Sequence, residues 1–139
     1  YVKIRDIYQG IYKIFQAEAE KKGIHLKMEY DVKHEHVICD ETKNREIFLN
    51  LISNAVKYTD VNGVINIGIV NDWLYIENSY GNNKISNMDK IFDVKFDLNK
   101  ENSNGLGLYI VSNILNNYNI EYKALQDEEF FIFKIKIFS

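Results

Sequence analysis

The chain contains no proline and a single cysteine, Cys39, among its 139 residues. One thiol excludes an internal disulfide and any zinc site built from several cysteines, and it suits a reducing compartment. An excess of basic charge is also missing. Seventeen Lys and Arg stand against 20 Asp and Glu, for a net charge of -3, which argues against nucleic acid or an anionic membrane surface as partner. No apolar run approaches the ~20 residues that cross a bilayer as a helix; the longest lie at 65–70 and 130–133, and the opening Tyr1-Val2-Lys3-Ile4 lacks a signal-peptide pattern. What remains is ordinary globular material, 46% hydrophobic and 27% charged. It suffices for one continuous core in a single domain over 1–139.

Periodicity divides the chain into alternating elements. Ile4, Ile7, Ile11 and Phe15 recur at helical spacing, with Gly23 placed to end the helix. Ile24, Leu26, Met28 and Tyr30 alternate as a strand with one buried face, and 36–39 reads as a short second strand. Asp40 or Thr42 can cap a helix that runs to about Thr59. A turn at Asp60-Val61-Asn62-Gly63 leads to strands at 64–70 and 73–78, joined by Asn71-Asp72. The stretch 79–104 is polar and irregular apart from a short helix near 86–92, whose start suits Ser86 followed by Asp89. A helix over 107–118 carries Leu108, Val111, Ile114, Leu115 and Tyr118 on one stripe, and strands at 120–125 and 130–138 close a hairpin about Gln126-Asp127-Glu128. The order predicts an α+β fold, a two-layer α/β sandwich with three main helices on one face of a mixed sheet.

Two segments carry chemistry. In the second helix, at ~100° per residue, Asn50, Asn54 and Lys57 share one edge beside the apolar stripe of Ile47, Phe48, Leu51, Ile52 and Ala55. Asparagine is a poor helix-interior residue because its amide competes for backbone hydrogen bonds. Two of them one turn apart call for an explanation: either an exposed polar face in an asparagine-rich chain or a functional edge. A carboxamide oxygen is a neutral hard ligand for a Mg²⁺ ion that keeps most of its waters, and Lys57 supplies a point charge for phosphate. The second segment is Gly105-Leu106-Gly107-Leu108, entering the last amphipathic helix. Glycines there let backbone amides approach an anion at a helix N-terminus, although a loop meeting a helix start is also common. The long polar loop before it suits a mobile lid over a bound nucleotide.

Taken together, residues 40–59, the pair Ile91-Phe92 and Gly105-Leu106-Gly107-Leu108 resemble the N box, F box and second glycine box of the histidine-kinase branch of the ATPase superfamily that includes DNA gyrase, the Hsp90 chaperones and MutL. Order and spacing match along essentially the whole chain. The resemblance implies a Bergerat-type ATP-binding fold with a lid at about 79–104, and ATP and Mg²⁺ as cofactors. It further implies that Asn54 coordinates Mg²⁺ with Asn50 in supporting contact, that Lys57 approaches the phosphates, that Tyr58 packs beside the nucleotide, and that Gly105, Leu106, Gly107 and Leu108 form the turn closing over the phosphates. Asn78 stands where the family has an aspartate that accepts from the adenine amino group; a turn residue ending a strand is the other reading of it. In place of the family's first glycine box, Asp-x-Gly-x-Gly, this chain has Asn78-Ser79-Tyr80-Gly81-Asn82, Lys95 stands where a second aromatic is common, and Asp97 stands near a usual basic lid position.

The implied function is transfer of the γ-phosphate of Mg-ATP to a histidine. The acceptor is not expected among His25, His34 and His36: the family's acceptor lies on a long helix, while His34-Glu35 falls in a turn and His25 on a strand. The expected partners are a dimeric helical phosphoacceptor domain of the same protein and a downstream response regulator. The expected location is a cytoplasmic domain of a membrane-anchored sensor. A degenerate regulatory module that binds ATP weakly or not at all is the alternative, supported by the eroded first glycine box; a stand-alone serine kinase is a second.

Overall fold

A computed structural model describes residues 4–29, 40–81, 85–86, 88–92 and 107–136. The expected strand at 36–39 lies outside the described residues, as do His34, Lys95, Asp97, Gly105 and Leu106. The elements are α1 (Ile4–Lys21), β1 (His25–Glu29), α2 (Glu41–Tyr58), β2 (Val64–Val70), β3 (Trp73–Ser79), a single 3-10 turn (Met88–Lys90), α3 (Gly107–Asn117), β4 (Tyr122–Gln126) and β5 (Phe130–Lys136). The five strands form one sheet in the order β1-β2-β3-β5-β4. Only β1 and β2 run parallel; the remaining pairs are antiparallel.

Local chemistry explains the boundaries. Gly23 takes φ +68 after α1, where its N–H donates to the Glu20 carbonyl; a left-handed residue at this position is the usual way to end a helix. Asp40 caps α2, its side chain accepting from the Lys43 N–H at 2.9 Å. That bond, with a second from the Tyr118 hydroxyl at 2.9 Å, holds the Asp40 carboxyl below the usual carboxylate range. The other end of α2 is capped by a cation: Lys22 Nζ donates to the Val56 carbonyl at 2.9 Å and the Lys57 carbonyl at 3.2 Å. An ammonium there satisfies carbonyls that have no intrahelical partner and opposes the negative end of the helix dipole. In the β2–β3 hairpin Asn71 and Asp72 both have positive φ, the geometry of a turn that matches strand twist.

The core lies between the sheet and the helices. Alternation places Ile65, Ile67 and Ile69 of β2, Leu74 and Ile76 of β3, and Phe133 and Ile135 of β5 on the helix side, where all are buried. They meet Ile47, Phe48, Leu51 and Ile52 of α2 and Leu108, Val111 and Leu115 of α3. Of the stripe expected on α1, Phe15 packs against this core. The opposite sheet face carries Trp73, whose ring centroid lies 5.2 Å from the Lys123 ammonium and 5.1 Å from that of Lys136. The two-layer α+β arrangement expected from the sequence is thus present.

Two expectations change. The short helix near 86–92 is reduced, among described residues, to the one 3-10 turn, and what fixes this stretch is burial: Ile91 enters the core while Phe92 meets the edges of Tyr122 at 5.5 Å and Phe133 at 6.1 Å. Gln126, expected in a turn, is instead the last residue of β4, paired with Phe131. The turn begins at Asp127, whose carboxylate accepts from the Glu129 and Phe130 N–H groups and is lowered in pKa by them, Phe130 first.

Candidate nucleotide site

A cleft of about 510 Å³, counting its open mouth, is lined by Leu51, Asn54, Ala55 and Tyr58 of α2, Ile76 and Asn78 of β3, Leu108 of α3, and Tyr80, Ile85, Gln126, Phe131 and Phe133. The asparagine helix, the end of β3 and the start of α3 therefore converge on one space. Each arrives by its element's geometry. Asn54 shares the α2 edge that borders the core stripe, while Asn78 points to the helix side of β3 because it is in phase with Leu74 and Ile76.

At one end of the cleft α2 meets the N-terminus of α3. A Cβ built on Gly107 would lie 2.9 Å from Asn54 Nδ2 and 3.1 Å from Oδ1. Any side chain at this position would have to displace the Asn54 amide for α3 to begin where it does. Among the described residues nothing hydrogen-bonds that amide, so its oxygen is available to a ligand. The first N–H groups of α3 have no intrahelical partner and carry the positive end of its dipole, a ready site for anionic oxygen. A neutral carboxamide oxygen beside a helix N-terminus is a donor that Mg²⁺ could accept, and Asn54 is the residue that would hold it.

At the other end Asn78 is 4% exposed. Its Nδ2 donates to the Ser79 carbonyl at 3.3 Å, leaving Oδ1 with no donor among the described residues. A buried acceptor without a donor is costly, and an exocyclic amino group entering the cleft would supply one. Tyr80, also 4% exposed, occupies a position where the family pattern has glycine. Its hydroxyl donates to the Asp127 carbonyl, and burial raises the phenol above its usual value, with Asp127, Glu128 and Glu129 adding to the effect. Ser79 ties the strand end down: its Oγ donates to Asp60 Oδ1 at 3.0 Å and accepts from the Val64 N–H at 2.9 Å.

A family model described as "Histidine kinase-, DNA gyrase B-, and HSP90-like ATPase" matches residues 39–137. The chain belongs to that family. Within this ATPase family it is similar to histidine kinases. A sensor histidine protein kinase of Streptococcus pneumoniae is 38% identical over 96 residues, covering 66% of this chain and 22% of that protein. An adaptive-response sensory kinase of Synechocystis is 36% identical over 67 residues, covering 47% and 17%. The solved catalytic domain of the histidine kinase ThkA superposes with a TM-score of 0.74 at 25% identity, over 96% of this chain and 92% of that one. The chain is accordingly a histidine-kinase ATP-binding catalytic domain, and it spans about a fifth of the length of the curated kinases it matches.

The sequence-predicted residues of this ATPase domain are distributed unevenly. Asn54, Tyr58, Asn78 and Leu108 line the cleft, and Gly107 abuts Asn54. Asn50 lies one turn away with its Nδ2 donating to the Glu46 carbonyl at 2.8 Å, along its own helix. Lys57 does not line the cleft; its ammonium sits 5.5 Å from the Tyr58 ring centroid. Gly105 and Leu106 lie outside the described residues. His25 is exposed on β1, and no cluster of His, Cys, Asp and Glu suited to a metal exists among the described residues. Sequence reasoning passed over Tyr80, Ile85 and Gln126. Tyr80 could have been found by extending the alternation of Leu74, Ile76 and Asn78 by one step.

Proposed function

We infer that the cleft binds Mg-ATP and presents the γ-phosphate to a histidine on an adjacent dimeric helical phosphoacceptor domain of the same protein, with a response regulator receiving the phosphoryl group afterwards. The single observation that carries the reading is the contact between the Asn54 amide and Gly107 at the start of α3. It sets a hard neutral oxygen beside helix N-terminal amides that have no intrahelical partner, a combination suited to a metal-bound polyphosphate. When bound, Mg²⁺ neutralises charge on the β- and γ-phosphates.

The residues of this chain then bind and orient. Asn54 would hold the metal, Lys57 would swing from the Tyr58 ring toward phosphate, Gly105, Leu106, Gly107 and Leu108 would form the turn over the phosphates, and Asn78 would accept from the adenine amino group. Transfer forms a nitrogen–phosphorus bond to the acceptor histidine and breaks the bond from the γ-phosphorus to ADP. It needs in-line positioning more than acid–base chemistry from this domain. Asn50 supports that division of labour. Gyrase-type enzymes of the superfamily place a water-activating glutamate at this turn, where this chain has Asn50, and an amide cannot act as a general base. Hydrolysis to water should therefore be slow relative to transfer.

The eroded first glycine box does not by itself favour a degenerate module, because Asn78 and Tyr80 of that segment are buried and form a wall of the cleft. Among the described residues no helix is long and apolar enough to cross a membrane; attachment to a membrane-anchored sensor and a cytoplasmic location belong to the proposal. The test is Asn54→Ala in the full-length protein. Loss of Mg-ATP-dependent histidine phosphorylation, with the circular dichroism spectrum retained, is expected; phosphorylation at the unaltered rate would sink the assignment.

A further inference from the structure

The base end of the cleft is built differently from its phosphate end. With Tyr80 and Asn82 in place of glycines, the segment leaving β3 is secured by bonds to the β4–β5 hairpin. The Tyr80 N–H donates to the Glu129 carbonyl at 3.3 Å and its hydroxyl to the Asp127 carbonyl. Farther along, Gln126 holds one residue at both of its main-chain groups: Oε1 accepts from the Ile85 N–H at 2.9 Å, and Nε2 donates to the Ile85 carbonyl at 2.8 Å. A side-chain amide here reproduces the paired exchange between opposed residues of an antiparallel ladder. Both Gln126 and Ile85 line the cleft beside Asn78 and Tyr80.

We propose, resting on the reading of the cleft as a nucleotide site, that Gln126 is a positioning residue: its two hydrogen bonds to the Ile85 main chain fix the Ile85 side chain as a wall of the base end, and thereby set the preference for adenine over guanine. The wall is apolar and immobilised. It offers no partner to the 2-amino group of guanine, and it does not yield to admit water that could solvate that group. Rejection by an unpaired polar group is the strong form of discrimination available to a binding site. A wall that swings free would let water enter and would reduce the penalty.

The experiment is calorimetric titration of the chain with Mg²⁺ and non-hydrolysable ATP or GTP analogues, with hydrogen exchange read at the Ile85 amide. The unaltered chain should prefer the ATP analogue. Gln126→Met keeps length but neither hydrogen bond; it should lose affinity for the ATP analogue about tenfold, lose less for the GTP analogue, and exchange the Ile85 amide faster. Gln126→Glu, which keeps the acceptor and loses the donor, should fall between. Ile85→Ala removes the wall while its main chain stays held, so it should narrow the preference as Gln126→Met does even if the latter folds poorly. An unchanged ratio between the two nucleotides in both Gln126→Met and Ile85→Ala would overturn the proposal, whether or not absolute affinity fell. If the unaltered chain bound neither nucleotide, the nucleotide reading itself would fall, and this inference with it.

Discussion

The two ends of the cleft achieve their shape by opposite means. At the end proposed for the phosphates a missing side chain does it: Gly107 brings the start of α3 against the Asn54 amide, which no described residue hydrogen-bonds. At the end proposed for the base bulky groups do it: Tyr80 and Ile85 fill space and are pinned by hydrogen bonds to the β4–β5 hairpin. An end that is to receive charge would gain from helix N-terminal N–H groups without intrahelical partners and from an amide that no described residue hydrogen-bonds. An end that is to recognise a flat ring would gain from an apolar surface with one acceptor that no described residue serves, the buried Asn78 Oδ1. The first design is sensitive to added volume, the second to lost bonds.

That contrast can be tested in order of expected effect. Phe133 is 2% exposed, floors the cleft and packs in the core, so Phe133→Ala should destroy the distinction altogether, costing about 3–5 kcal/mol of stability in denaturant unfolding. Asn54→Ala should act at one end only. Phosphoryl transfer in the full-length kinase should drop on the order of 10²–10³-fold, while Mg²⁺-free nucleotide binding by the chain stays near its starting value; an equal loss of both would contradict the assignment of the metal to this end. Gly107→Ala puts a methyl group against the Asn54 amide. Mg-ATP affinity should fall about tenfold in calorimetry, since loss of one good hydrogen-bonded geometry is worth about that much, with the melting temperature nearly unmoved.

Asn78→Asp sharpens the base end. A carboxylate makes a charge-assisted bond, so ATP affinity at neutral pH should rise a few-fold. A new loss should appear as pH falls and the carboxyl takes up a proton, whereas the unaltered chain shows no such step from this position. A change confined to stability would show that Asn78 does not touch the base. The smallest effect belongs to a site remote from both ends. Asp40 has its folded pKa lowered by the Lys43 N–H and the Tyr118 hydroxyl, so its contribution is fully present above the unfolded aspartate value and is lost as pH falls through the lowered folded one. Thermal melts of Asp40→Ala should show a modest deficit at pH 7 that narrows in that acid window, with nucleotide affinity unaltered.

Much of this was legible because the informative residues obey short-range rules. Gly23, Asp40 and the Asn71-Asp72 pair announce an ending, a start and a turn through their own backbone preferences, and β2 was readable as a strand from end to end. The edge of Asn50, Asn54 and Lys57 follows from helical spacing alone. What was not legible depends on pairs distant in sequence. Nothing in the residues flanking Gln126 says that its amide will meet Ile85, which is 41 positions away. Tyr80 registered only as a lost glycine, although the phase of β3 assigns it to the buried face. Asn50 and Lys57 share the edge with Asn54, yet spacing could not tell that one bonds back to Glu46 while the other rests over Tyr58.

The placement of Trp73 has a practical use. It is the single tryptophan of the chain and lies on the sheet face away from the cleft, flanked by Lys123 and Lys136. Its emission is therefore a built-in optical gauge of whether the sheet is intact, insulated by a layer of backbone from whatever occupies the cleft. Unfolding curves recorded from it with and without nucleotide can be compared directly, and any ligand-induced displacement of the midpoint then measures binding energy and not a change in the lamp's surroundings.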